Sequence, residues 1–274
     1  MGPFVMSLAG LDPSGGAGLL ADIKTFEAHG ITGFGVCTAL TVQTDNTLLS
    51  VEWLGAEKIV EQALPLLTRF PVQYCKIGIV EHPAILLQVL PMLQAARPGL
   101  QFVLDPVLKA SSGYVFHSAT AQQWETILPS LLLLTPNYEE AMAITGHASG
   151  EQAAQQMAAY CAVLLKGGHR PGKEGWDTLY NSTGYTEFEP GPPPVYPKHG
   201  SGCVLSAAIT AALALGCGLE EACRTAKAYT ARYLQSDVSL LGHHPPVLNE
   251  KGIPGSAAWN AHIQPSQHND HHQS

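Results

Sequence analysis

The richest chemistry in this chain lies in His199-Gly200-Ser201-Gly202-Cys203-Val204-Leu205-Ser206. Gly200 and Gly202 let the backbone approach a ligand closely, and the alanine-rich helix expected over about 203–215 begins with unpaired N–H groups. Those groups and the helix dipole form an anion site suited to charge that builds on a transferring phosphoryl group. Cys203 opens this helix, where a thiol is expected to ionise below its free pKa of about 8.5. A glycine-hinged loop with Cys203 as a small core residue accounts for the same segment.

Four other segments leave a strand or open a helix. Gly10 to Gly18 runs from a strand into a helix, and Asp22 falls one turn inside it. Asp105-Pro106-Val107 ends another strand, at the position where ligands gather in open parallel sheets. Thr135 to Glu140 begins a helix, with Asn137 as N-cap and Glu140 at the capping-box position. Leu165-Lys166-Gly167-Gly168 ends one more strand with a cation and glycines. Taken singly, each has an ordinary structural reading: a solvated carboxylate, a strand-to-turn signal, a helix cap.

Two nucleotide fingerprints fail on inspection. Gly16 to Ala21 fits the spacing G-x-G-x-x-A, but the next strand, Phe34 to Thr41, has no acidic residue to hold a ribose. Gly167 to Lys173 fits G-x-x-x-x-G-K, yet Glu174 follows where a P-loop needs Ser or Thr for magnesium.

The elements that must position these residues alternate in type. Strands are expected at Phe4–Ala9, Phe34–Thr41, Tyr74–Val80, Gln101–Leu104, Leu131–Thr135 and Ala162–Lys166, with helices at Leu19–His29, Ala56–Arg69, after Pro83 and after Thr135. Strands that read as continuous apolar runs are buried on both faces, which favours a parallel sheet covered by helices, an α/β class. Asp177 to Phe188 reads as a hairpin, and helices at about 203–215 and 219–235 close the domain. One α/β/α domain over 1–242 is expected, with a loose Pro-, His- and Gln-rich tail over 243–274 that ends near His268, His271 and His272.

Bulk properties narrow the classes. Of 274 residues, 46% are hydrophobic and 13% charged, far from the disordered class. The formal charge of −8 argues against a generic nucleic-acid surface. No apolar run reaches membrane-span length, and no secretory signal is expected. The six cysteines form no C-x-x-C pair, so reduced thiols in a cytoplasmic protein are expected.

In order along the chain, Ala9-Gly10-Leu11-Asp12-Pro13-Ser14-Gly15-Gly16-Ala17-Gly18, Ala21 to Phe26, Thr38 to Thr41, Lys76-Ile77-Gly78, Asp105 to Val107, Thr135 to Glu140, Lys166-Gly167-Gly168-His169 and His199 to Cys203 resemble the motifs of the ribokinase-like superfamily. Within it they resemble the hydroxymethylpyrimidine/phosphomethylpyrimidine kinases, over about 4–240.

The resemblance implies a three-layer α/β/α fold with a mostly parallel sheet and a small or reduced β lid. It implies an ATP-dependent kinase of thiamine diphosphate biosynthesis, acting on 4-amino-5-hydroxymethyl-2-methylpyrimidine and its monophosphate, with Mg2+, as a homodimer. By the same carry-over Gly200, Ser201 and Gly202 supply the anion hole and Cys203 the base. Gly10, Asp22, Gln43, Ile79 and Val107 hold the pyrimidine. Lys166, Gly168, Asn137 and Glu140 serve the nucleotide, and Asp105 and Glu140 the metal, through water. Departures from the pattern are Ser201 in place of Thr, Ile79 in place of Met, and Gln43-Thr44-Asp45-Asn46 in place of Gln-Asn-Thr. A pyridoxal or pyridoxine kinase and a non-catalytic ligand-binding relative are the rival readings. Gln43 after Leu40-Thr41-Val42 favours the pyrimidine, and the intact anion loop favours catalysis.

Overall fold

The computed structural model describes residues 2–109, 113, 116, 120–168 and 170–247. His169 and the tail from 248 onward, including His268, His271 and His272, lie outside the described residues.

Along the chain run β1 (Phe4–Leu11), α1 (Gly18–Ala28), β2 (Thr32–Gln43), β3 (Leu48–Trp53), α2 (Ala56–Arg69), β4 (Tyr74–Ile77), α3 (Ala84–Ala96), β5 (Gln101–Leu104), α4 (Ala121–Ile127) and β6 (Leu133–Leu134). They are followed by α5 (Tyr138–Thr145), α6 (Gly150–Met157), β7 (Ala162–Leu165), β8 (Asp177–Asn181), β9 (Gly184–Phe188), α7 (Ser201–Ala214) and α8 (Leu219–Leu234). Among the described residues, nine strands form one sheet in the order β3-β2-β1-β4-β5-β6-β7-β8-β9. The ladders from β2 through β7 are parallel, while β3, β8 and β9 pair antiparallel at the edges.

The continuous apolar strands do what burial on both faces requires. Met6, Leu8, Cys75, Ile77, Phe102 and Leu104 pack with α2 to α6 on one side. Their neighbours in the alternation, Val5, Val103, Leu133 and Leu164, face α1, α7 and α8 on the other. The three layers follow from this period of two. Helix α7 is buried from Val204 to Leu213, between the sheet, α1 and α8. Its alanines let those elements approach closely, which explains an apolar composition with no polar face.

Two features lie beyond what the sequence pattern shows. β3 lacks a strand signal because it is an edge strand with no buried side chain, its apolar residues broken by Ser50 and Glu52, so it shows no continuous apolar run. With the outer part of β2 it is the nearest counterpart, among the described residues, of the expected small β lid. Residues just past 242 also pack on the domain. His244 packs against Tyr233 at 4.9 Å between ring centroids, and the Val247 amide donates to the Ala28 carbonyl at 2.8 Å.

Candidate active site

The carboxyl ends of β1, β4, β5, β6 and β7 and the amino ends of α1 and α7 converge on one cleft of about 830 Å³, its open mouth included. Parallel strands place ligands at this end because the loops there leave the sheet in a common direction.

The anion loop is built by contact with the first glycine loop. Gly200 lies in the left-handed region, at φ 74°, and caps α7 without a side chain. A Cβ there would stand 2.2 Å from the Gly16 carbonyl oxygen and 2.6 Å from Ala17 Cα. Only glycine fits at that position. The first turn of α7 therefore opens onto the cleft through Ser201, Gly202 and Cys203, all three on its wall. At Gly202 a Cβ would lie 3.3 Å from Lys166 Nζ and 3.5 Å from Asp105 Oδ2, so the amides and these two charges share one small volume.

The charges are paired and mostly dry. Lys166 Nζ donates to Asp105 Oδ1 at 2.6 Å and stands 3.8 Å from Glu140 Oε2. Burial pushes Glu140 from 4.5 up to about 7, with Asp105 adding to the rise and Lys166 and the Asn137 and Leu108 amides opposing it. Asn137 and Glu140 form the expected capping box, the Asn137 amide donating to Glu140 Oε2 at 2.7 Å and the Glu140 amide to Asn137 Oδ1 at 2.8 Å. This cap aims the Glu140 carboxylate at the cleft.

Of the residues singled out in sequence, Gly10, Gln43, Ile79, Asp105, Val107, Asn137, Glu140, Lys166, Gly200, Ser201, Gly202 and Cys203 all line the cleft. Gly168 is exposed and off its wall. Asp22 is off it too: its carboxylate is fully buried beneath Lys76, which donates to Oδ1 at 2.9 Å and Oδ2 at 2.8 Å. An acid one turn inside α1 points into the sheet here because β4 offers it a cation. The expected low pKa of Cys203 is also corrected. Burial pushes its thiol above 9.0, with Asp22 and Asp105 adding to the rise; Lys76 and the Gly18 amide pull the other way.

Among the charged and aromatic side chains of the cleft, sequence reasoning assigned no role to Lys76, His199, Lys109 and Phe116. Lys76 carried a signal, a lone cation inside an apolar strand. His199 Nε2 lies 3.0 Å from Asp12 Oδ2, while Asp12 also accepts from Ser14 and from the Ala17 amide. Although burial works against it, these bonds hold the Asp12 carboxyl below 3.8. The pair ties the two glycine loops together. Sequence could not find it, because 187 residues separate its members.

A divalent cation is part of the chemistry that the resemblance implies. Asp105 Oδ2 is buried with no hydrogen-bond partner, beside the Glu140 carboxylate, and an orphaned carboxylate oxygen of this kind suits a hard, oxygen-seeking ion. No group of three or more acidic, His or Cys side chains collects among the described residues.

Helix amides, a lysine and paired carboxylates at the carboxyl end of a parallel three-layer sheet define a phosphotransferase, and its fold is that of the ribokinase-like kinases. The chain belongs to the phosphomethylpyrimidine kinase family, whose model, Phosphomethylpyrimidine kinase, matches residues 12–248. It is 38% identical over 239 residues to a hydroxymethylpyrimidine/phosphomethylpyrimidine kinase of Rhizobium meliloti, covering 84% of this chain and 89% of that protein. The crystal structure of a phosphomethylpyrimidine kinase from Clostridium difficile matches with a TM-score of 0.71 at 32% identity, covering 84% of this chain and 98% of that one. A Staphylococcus aureus pyridoxal kinase in complex with AMP-PCP matches with a TM-score of 0.75 at 25% identity, covering 95% of each. Among the described residues no helix is long and apolar enough to cross a membrane.

Proposed function

We propose that this kinase transfers the γ-phosphoryl group of ATP to the hydroxymethyl oxygen of 4-amino-5-hydroxymethyl-2-methylpyrimidine, and then a second group to the monophosphate, on the route to thiamine diphosphate. One observation carries the reading: the bare first turn of α7 shares its cleft with Lys166, Asp105 and Cys203. The alcohol oxygen attacks the γ-phosphorus in line and ADP leaves. Charge that builds on the equatorial oxygens is met by the amides at Ser201, Gly202 and Cys203 and by Lys166. The acceptor proton passes to Cys203 Sγ. In a mainly dissociative transition state that transfer comes late, so placement of the sulfur matters more than its basicity at rest.

Gln43 supplies a carboxamide that can pair with the amino group and a ring nitrogen, while Ile79, Val107 and the Gly10 backbone bound the ring. With Asp22 turned away to Lys76, Gln43 is the polar group assigned to the ring. Asp105 and Glu140, the latter through water, would hold Mg2+, which would supply positive charge to offset that of the phosphates. Homodimer formation and a cytoplasmic site belong to this reading through the family resemblance.

Pyridoxal is the second acceptor to test, since both substrates are planar nitrogen rings bearing a hydroxymethyl group. Steady-state kinetics with each acceptor, and a product assay starting from the pyrimidine monophosphate, test the assignment. A kcat/KM for pyridoxal about tenfold above that for the pyrimidine would reverse it.

A further inference from the structure

We infer that Asp12 and His199 are positioning residues for phosphoryl transfer: their contact joins the loop that holds the acceptor ring to the loop that holds the transferring phosphoryl group, and so sets the separation of the reacting atoms. The inference rests on the reading of the cleft as a kinase site, with Gly10 beside the ring and the α7 amides beside the phosphoryl group.

Each member stands next to one of those groups in the chain. Asp12 follows Gly10 by two residues, just past the end of β1, and His199 immediately precedes Gly200 at the cap of α7. His199 Nε2 lies 3.0 Å from Asp12 Oδ2, and both side chains are at least nine-tenths buried. Salt and solvent loosen such a contact far less than they loosen a surface pair.

The carboxylate divides its bonds between the two loops. Asp12 Oδ1 accepts from the Ser14 amide at 2.8 Å, and Oδ2 accepts from Ser14 Oγ and the Ala17 amide, each at 2.9 Å. These three bonds shape the turn from β1 into α1. The turn also closes on its own strand, since a Cβ on Gly18 would stand 2.2 Å from the Gly10 carbonyl oxygen. His199 is the further partner, and it comes from the other loop.

His199 is held from behind as well. Its amide donates to the Leu240 carbonyl at 2.9 Å, and neighbouring Lys198 donates to the Ser239 carbonyl at 2.6 Å. Its ring fills the space above Gly16, where a Cβ would come 2.8 Å from Cδ2 and 2.7 Å from Leu241 Cδ2. Gly16 is not among the glycines at positive φ, so these side chains, and not the backbone conformation, exclude a larger residue there.

With the Asp12–His199 contact cut, each loop keeps its own internal bonds while a direct tie between them is lost. Each ligand then still finds its own contacts, but a shift of about 1 Å between reacting groups costs up to about a hundredfold in rate. The mark of such a tie is a loss in kcat without a matching loss in either KM.

The test is steady-state kinetics on the full chain, beside circular dichroism. His199→Leu is expected to lower kcat about thirtyfold, with KM for ATP and for the pyrimidine each within about threefold of native. His199→Gln returns an N–H near the place of Nε2 and is expected to recover kcat to within about fivefold of native. Should His199→Leu not fold, His199→Asn, whose shorter amide does not reach Asp12, takes its place. Adding Asp12→Asn to either is expected to leave kcat within about threefold of the worse single variant, because the second change finds the tie already cut. Native kcat in a folded His199→Leu or His199→Asn would overturn the inference, as would losses that multiply in the double variant. A glutamine no better than leucine would reduce the ring to a filler, and would overturn it too. If the native chain phosphorylates pyridoxal and not the pyrimidine, the substrate assignment falls instead, and the same measurements with pyridoxal decide the role of the pair.

Discussion

Gly200 and Gly16 touch backbone to backbone: the space for a Cβ on Gly200 lies 2.2 Å from the Gly16 carbonyl oxygen. This contact holds the start of α7 against the start of α1, and it sets where the anion-binding amides point. Gly200→Ala would meet both the clash and the left-handed φ of 74°. A drop in kcat of about a hundredfold is expected, with the loss concentrated in turnover rather than in pyrimidine KM. Steady-state kinetics beside circular dichroism of the folded variant checks it.

Lys166 is expected to act on the phosphates. Lys166→Met should lower kcat by about a hundredfold and raise KM for ATP, leaving KM for the pyrimidine within about threefold. Lys166→Arg is not expected to rescue, because a planar fork does not reproduce a point charge wedged between Asp105 and Glu140. Full activity in the arginine variant would contradict this placement.

Gln43→Ala and Cys203→Ala should separate binding from chemistry. The first is expected to raise pyrimidine KM about tenfold with a small change in kcat, and the second to lower kcat far more than it weakens binding. Equal losses in kcat and binding for Cys203→Ala would reduce that residue to a wall of the pocket.

Glu140 gives the protein a pH dependence with a definite sign. Burial raises its pKa from 4.5 to about 7, so the folded state binds more protons than the unfolded state across that window. Its contribution to stability is therefore lost as pH rises from about 5 to about 7. Glu140→Gln keeps the shape and removes the titration. In urea unfolding at pH 5 and pH 7.5, the variant is expected to gain stability relative to the native chain at the higher pH. A difference between the two proteins that does not change with pH would refute it.

The segment after α8 is predicted to support the site. Buried Lys198 donates to the Asp237 and Ser239 carbonyls, and the His199 amide donates to the Leu240 carbonyl at 2.9 Å. Ending the chain after Gln235 removes all three acceptors. A fall in Tm of about 5 °C or more, together with lower kcat, is expected in a thermal melt and activity assay.

Much of this protein is set locally. Strand and helix types follow from apolar runs and periodicity, and the capping box at Asn137 and Glu140 needs only a spacing of three. The glycines at 200 and 202 announce an anion loop for the same reason, since the rule they obey concerns adjacent residues. Where Asp22 points is another matter. Its periodicity places it inside α1, but only the packing of α1 on β1, the neighbour of β4, brings it to Lys76, 54 residues away. Cys203 shows the same limit: a helix start favours the thiolate, and the burial imposed by neighbouring elements pushes the thiol the other way. Edge strand β3 and the contacts of His244 were invisible because neither has an apolar pattern of its own. Element types and motif glycines depend on near neighbours in sequence, so the chain alone determined them. Charge partners, proton affinities and the docking of His244 depend on which distant groups exclude water together, and that is decided only when the sheet and its helices close.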